Sequence, residues 1–287
     1  MAALAGFSVY ACGDVFSGGN CRKLARATPS LPNALNMDPR NAAKAYDFRI
    51  GCAGWTIPKQ YAGLFPNFEH HLARYSKRFR AVEINSSFYR AHRRSTYERW
   101  AAAVPEDFAF SVKAPKEITH TLRMIEASAA LEAFLAEIAG LGEKLGVVLF
   151  QLPPSFSFQA QIVGAFFAAL RDRSDSSAAC EARHPSWFTA PADDLLKKFR
   201  IARVAADPPV VDVGAEPGGW NGLSYFRLHG SPRMYYSEYS ADQLDAWAER
   251  VRLAGKTGRP AWCIFDNTAA GAAIANALAL QQRVFSA

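Results

Sequence analysis

The chain has 287 residues, 50% hydrophobic and 21% charged, enough to bury the core of one large α/β barrel or of two ordinary domains. No apolar run approaches the roughly 20 residues that a bilayer span requires, and no basic residue precedes the mildly apolar start up to Ala11, so neither membrane insertion nor secretion is expected. With 33 Lys and Arg against 26 Asp and Glu, the net charge of +7 suits an anionic partner without requiring one.

Residues 1–46 read as an irregular extension, because Gly18, Gly19, Pro29, Pro32 and Pro39 break every periodicity. A chain without them is expected to keep its fold. Strand and helix signals alternate from Phe48 onward, and residues 47–287 are expected to form one domain. FRIGC is a strand, followed by a helix face at Leu72, Tyr75 and Phe79. AVEIN is the second strand. Its helix is expected to open on a capping box from Ser95 to Glu98, to carry Tyr97, Trp100, Ala101 and Val104 on one stripe, and to stop at Pro105. FAFSVK is the third, with Leu131, Phe134, Leu135 and Ile138 at helical spacing after it. GVVLFQ is the fourth, with Ile162, Phe166 and Ala169 behind it, and AACEAR is the fifth, before a short helix around Leu195 to Phe199. IARVAA, the sixth, runs into Pro208, Pro209, Pro217, Gly218 and Gly219, which leave no clear helix. LSYFRLH is the seventh, and a second capping box, Ser240 to Gln243, starts a helix striped by Leu244, Trp247, Ala248 and Val251. AWCIF is the eighth, closed by an Ala-rich helix around Ile274 and Leu278.

Eight strands, seven of them followed by a readable helix, match the size and alternation of a single (β/α)8 TIM-type barrel. A doubly wound open sheet is the rival, but no Gly-rich G-x-G-x-x-G turn follows any strand. No nucleotide cofactor is therefore expected. The five cysteines are irregularly spaced and form neither a disulfide framework nor a zinc ribbon. Cys52, Cys180 and Cys263 fall inside strands as small buried residues, and a reducing cytoplasm is the expected compartment.

Several of these strands end on a polar cluster, which a parallel scaffold would gather on one edge. Residues two apart share a strand face, which pairs Glu83 with Asn85, Ser111 with Lys113, Leu149 with Gln151, Glu181 with Arg183, and Arg227 with His229. Charges inside apolar strands need partners, and Glu83, Glu181 and Asp266 can neutralise Lys113, Arg183 and Arg227. The same residues fit two readings, a structural core ion pair or a reactive centre. Glu83, Lys113, Glu181, His184 and His229 are the candidate catalytic groups. Trp55, Phe88, Tyr89 and Trp187 are candidate walls for a base or sugar ring, or plugs of the barrel mouth. The loop Arg90, Ala91, His92, Arg93, Arg94, just before a helix, is a candidate phosphate clamp.

GCAGW, VEINSSFYR, the Lys113 strand with Thr119 and His120 downstream, LGVVLFQLPPSF, EARHPSW, YFRLHG and IFDNTAAGAAIANAL, in this order, resemble the YecE-like family, catalogued as domain of unknown function 72. The resemblance covers roughly Phe48 to Leu280 and implies a TIM-type barrel, but no particular reaction. It marks Glu83, Asn85, Lys113, His120, Gln151, Glu181, Arg183, His184, Arg227, His229 and Asn267 as site positions. The chain departs from the family pattern at Asp266, where an asparagine is usual before Asn267, and in its long segment before Phe48.

The leading expectation is a hydrolase or lyase on a phosphate-bearing substrate, a small molecule or a nucleic acid. Glu83 or Glu181 would be general base and His184 or His229 general acid, with Arg183 and Arg227 stabilising developing negative charge. A carbohydrate-active barrel using Glu83 and Glu181 is the second reading, and a nucleic-acid-binding protein without turnover the third. Metal dependence is open, since neither H-E-x-x-H nor paired C-x-x-C occurs. No membrane and no obligate protein partner are predicted.

Overall fold

The computed structural model describes residues 47–67, 70–256 and 258–286. The extension expected over residues 1–46 lies outside them. The described chain is an α/β structure dominated by parallel strands. In chain order the strands are β1 (Phe48–Cys52), β2 (Ala81–Ile84), β3 (Ala109–Lys113), β4 (Leu145–Gln151), β5 (Ala178–Glu181), β6 (Ile201–Arg203), β7 (Ala205–Asp207), β8 (Gly218–Gly219), β9 (Ser224–Leu228) and β10 (Ala261–Phe265). The helices are α1 (His71–Tyr75), α2 (Arg94–Ala102), α3 (Ser128–Ile138), α4 (Ala160–Arg171), α5 (Ala190–Lys198), α6 (Ala241–Gly255) and α7 (Ala272–Phe285).

The strands pair as two sheets, in the orders β1-β10-β9-β7 and β2-β3-β4-β5-β6-β8. Every pairing is parallel except that of the two-residue β8 with β6. The sixth expected strand is split at Val204, whose N–H donates to the Cys180 carbonyl (3.0 Å). Its first half pairs with β5 and its second with β9, so this one segment belongs to both sheets.

At the other junction β1 and β2 meet through a single parallel bridge, Ala53 with Glu83. Tyr75 stands in that seam. Its hydroxyl accepts from the Cys52 N–H (2.8 Å) and donates to the Ala81 carbonyl (3.0 Å), standing in for a rung of the ladder. The sheets also face each other. Gly146 of β4 lies under Trp262 of β10, and a Cβ at Gly146 would sit 2.4 Å from the indole.

Strand periodicity divides the core in two. One set of strand residues, with Ile50, Val82, Phe110, Phe150 and Cys180, packs into the large cluster that holds the helix residues Leu72, Leu131, Phe167 and Leu196. The alternate set, with Ala81, Val147, Leu149, Ala179, Tyr225, Trp262 and Ile264, forms a smaller cluster of its own. Cys52, Cys180 and Cys263 are free and buried, as expected, and burial pushes the Cys52 thiol up to about 12.

The Ser240 capping box forms: its Oγ accepts from the Gln243 N–H and the Gln243 Oε1 accepts from the Ser240 N–H. The Ser95 box does not. α2 begins at Arg94 with Arg93 as its cap and no side-chain capping bond. The absence of a side chain at Gly140 lets the turn after α3 press on Arg94 and Tyr97, where a Cβ would meet the Arg94 carbonyl at 2.5 Å. The helix cap, Arg93, lies two residues ahead of the Ser95 of the motif. The buried stripe of α4 is Val163, Phe166, Phe167 and Leu170, rotated from the expected one. Among the described residues no helix is long and apolar enough to cross a membrane.

Candidate active site

An isolated buried charge is prohibitively costly, and the strand-end residues of this chain avoid that cost by meeting one another. Arg227, in β9, is fully buried. Its guanidinium grips Glu83 of β2 bidentately, Nε to Oε2 at 3.0 Å and Nη2 to Oε1 at 2.6 Å. Its Nη1 donates to Glu181 Oε2 (2.5 Å) and its Nη2 to Asp266 Oδ2 (3.1 Å). Burial alone would depress the guanidinium, but Glu181, Glu83 and Asp266 outweigh it and hold Arg227 charged well above its usual range.

Glu181 is equally occupied. Its Oε1 takes Arg183 (2.6 Å) and its Oε2 takes the Gln151 amide (2.9 Å) beside Arg227. Burial pushes this carboxyl up, yet Arg183, Arg227 and His229 together hold it well below the usual carboxylate range. Glu83 Oε2 also accepts from the Tyr225 hydroxyl (2.9 Å), which stands 2.8 Å from Ser111 Oγ. Burial and Glu83 push the Tyr225 hydroxyl well above its usual value, so it stays a donor.

His229 follows β9 and is fully buried. Its Nδ1 lies 3.0 Å from Asp266 Oδ2, while its Nε2 lies 2.9 Å from Glu181 Oε1 and 3.0 Å from Arg183 Nη2. Two complete arrangements follow from this geometry. The doubly protonated ring donates to both carboxylates, and the neutral ring donates to Asp266 while Nε2 accepts from Arg183. Asp266 is held below its usual range, because Arg227 and His229 outweigh its burial.

Glu83, Lys113, Gln151, Glu181, Arg183, Arg227, His229 and Asp266 thus gather at the C-terminal ends of the strands. The groups of this set that keep some exposure are Lys113 (5%), Asp266 (6%), Gln151 and Arg183. Lys113 closes β3 with Nζ 4.1 Å from the Phe88 ring centre. Burial and the nearby Arg227 lower its ammonium to about 8 against the pull of Glu83, Glu181 and Asp266. His184, half-buried, accepts from the Ser186 N–H (3.2 Å) at Nδ1, which leaves the proton of the neutral ring on Nε2. His120 packs edge-on to Phe88 (5.0 Å) with Nδ1 2.9 Å from Thr119 Oγ1, and burial, Lys113 and Lys116 lower its pKa.

The remaining expected positions lie apart from this network. Trp187 is a core residue with no exposure, its indole N–H donating to the Phe156 carbonyl. Trp55 packs edge-on to Trp100 (5.1 Å), and Tyr89 is 78% exposed. Arg94 pairs along its helix with Glu98 (3.1 Å), while Arg93 lines a pocket of about 430 Å³ with Arg90, His92, Arg99 and Trp100. Asn85 caps the turn at Ser86–Phe88, and its buried Oδ1 has no partner among the described residues. Asn267 donates to the Ser237 carbonyl (2.9 Å) and to Asn276 Oδ1 (2.8 Å), bracing the loop that follows His229. Tyr225 and Ser111 entered the site without being proposed for it. Strand alternation, which puts Tyr225 two residues before Arg227, was the available signal for the tyrosine. Among the described residues no group of three His, Cys, Asp or Glu is arranged to hold a metal ion.

Residues 49–287 match the family model described as protein of unknown function DUF72. The chain belongs to the DUF72 family. Among similar DUF72-type proteins, the UPF0759 protein YunF of Bacillus subtilis (strain 168) is 26% identical over 259 residues, covering 79% of this chain and 91% of that protein. The UPF0759 protein YecE of Escherichia coli (strain K12) is 26% identical over 140 residues, 48% of this chain and 49% of YecE. Of solved DUF72 structures, TM1631 from Thermotoga maritima MSB8 superposes with a TM-score of 0.68 at 25% identity, covering 83% of this chain and 98% of that one. EF0366 from Enterococcus faecalis V583 gives a TM-score of 0.70 at 22% identity over 83% and 95% of the two chains, a likeness of fold.

Proposed function

We propose that the two sheets are opposite walls of one (β/α)8 barrel, and that the protein is a lyase or hydrolase acting on a phosphate-bearing substrate at the strand C-terminal edge. The barrel reading draws on the segment shared at Val204, the Tyr75 seam and the packing of Trp262 over Gly146. One observation carries the function. Three carboxylates and three cations converge at the strand ends, in a fold that apolar residues would stabilise as well or better. Such convergent, perturbed groups are the mark of a reactive site.

Glu83 and Glu181 have all their oxygens committed and hold the cations in place. Arg183 is the stabiliser of developing negative charge, Asp266 the proton acceptor, and His184 the donor through Nε2. The Arg90, His92, Arg93 and Arg99 pocket is the phosphate clamp, with Trp100 as its apolar wall. A carbohydrate reading loses its acid and nucleophile, because Arg227 engages both Glu83 and Glu181.

The test is a titration of the full chain with inorganic phosphate, phosphorylated sugars and short oligonucleotides, followed by phosphorus NMR for products with and without divalent metal. Binding should weaken at least ~10-fold in Arg93→Ala/Arg99→Ala with little change in Tm, a loss expected for two charge-assisted contacts. Salt-sensitive binding of oligonucleotides with no product under any condition would instead describe a non-catalytic binder.

A further inference from the structure

Two lysines drawn in from the surface, one half-buried and one buried, have different settings. Lys144 is a satisfied structural lysine, its ammonium donating to the carbonyls of Ala101 and Val104 at 2.7 Å each. Lys113 is more deeply buried, yet among the described residues its ammonium makes no hydrogen bond or ion pair. Glu83 and Glu181 are committed to Arg227, Arg183 and His229, and Asp266 turns its Oδ2 to Arg227 and His229 and forms no ion pair with Lys113. The ammonium lies against the face of Phe88, a weaker stabiliser of a full charge than a hydrogen-bonded carboxylate. A lysine so placed is driven toward the free amine, the form that attacks carbonyl carbon.

We propose that Lys113 is a nucleophile that forms an imine with an aldehyde or ketone group of the substrate. The Nζ lone pair adds to the carbonyl carbon, forming the C–N bond as the C=O π bond breaks, and a proton moves from nitrogen to the new hydroxyl. That hydroxyl leaves as water with the second amine proton, giving the C=N bond, and no oxidant or reductant takes part. His120 lies edge-on to the same Phe88 ring and is kept neutral by burial, Lys113 and Lys116, so it can relay these protons. Phe88 also links the two halves of the site. It ends a turn whose Ser86 hydroxyl meets His92 of the arginine pocket (2.8 Å) and whose Ser87 hydroxyl donates to the Lys113 carbonyl (2.7 Å). The imine rests on Lys113 alone, and only the phosphate on its substrate rests on the function proposed above.

Trapping separates the two. The full chain is incubated with glycolaldehyde or glycolaldehyde phosphate and sodium cyanoborohydride, which reduces an imine to a stable secondary amine, and the adduct is located by peptide mass mapping. Lys113, with an amine lowered to about 8, should be labelled near pH 7.5 on the order of 10- to 100-fold faster than exposed lysines such as Lys59 and Lys197. Lys113→Arg should abolish the fast adduct, and Lys113→Met serves as the control if the arginine does not fit. Faster labelling by the phosphate ester supports both readings, and equal rates support the imine while removing the phosphate. An adduct spread over surface lysines that leaves Lys113 untouched overturns the proposal, whatever the phosphate titration shows.

Discussion

Arg227 and Glu83 face each other from different sheets and meet through two hydrogen bonds, at 3.0 and 2.6 Å, with neither side chain exposed. The pair is a cross-tie as well as part of the site. Removing one partner of such a pair leaves the other charged and buried, at a cost of about 3 to 5 kcal/mol. Glu83→Ala should therefore lower the urea midpoint sharply, and a midpoint equal to wild type would show that water replaces the carboxylate.

Glu181→Gln tests a positioning role. The amide keeps the shape but removes the charge that faces Arg183, Arg227 and His229, and we expect a loss of about 3 kcal/mol at neutral pH. Glu181 and Asp266 have lowered folded-state pKa values, so their stabilisation is complete above the unfolded range near pH 4 and is lost as pH falls through the folded values. The variant's stability should fall less steeply than wild type on the acid side. Unchanged stability at neutral pH, with loss of turnover, would instead make Glu181 a group that acts in the reaction.

Tyr75→Phe removes one hydroxyl that serves two buried backbone groups, the Cys52 N–H and the Ala81 carbonyl. Each orphaned group costs about 1 to 3 kcal/mol, so a loss of about 2 to 4 kcal/mol in denaturant unfolding is expected. Amide exchange should quicken most at Cys52, beside the seam.

Lys113 should be a stability liability below pH 8. Its folded pKa of about 8 lies beneath the usual 10.5, so between those values the unfolded chain binds more protons and stability rises with pH. Lys113→Met should then be the more stable protein at pH 7, by up to about 3 kcal/mol, and the gap should close as pH rises from 8 toward 10.5. A gap independent of pH would mean that the amine stays charged when folded.

Strand alternation and polar strand tips were enough to predict parallel strands with the charged residues at their C-terminal ends, because side chains two apart share a face whatever the partner strand. The β1 to β5 strands, the faltering of the helical pattern after Pro208 and the Ser240 capping box are all local in this sense. Partnership is not. Arg227 finds Glu83 across 144 positions of sequence, and a list of charged strand residues is compatible with any pairing among them. Whether Trp187 lines a pocket or fills the core depends on Phe156 and Phe158 meeting it from another loop, and Tyr75 closes a seam that no helical period announces. The α2 start likewise departs from its own capping motif, with Arg93 as the cap. Local periodicity determined the elements and the edge on which the charges collect. Only tertiary packing decided which carboxylates saturate which cations, and so left the Lys113 ammonium against Phe88 with no ion pair among the described residues.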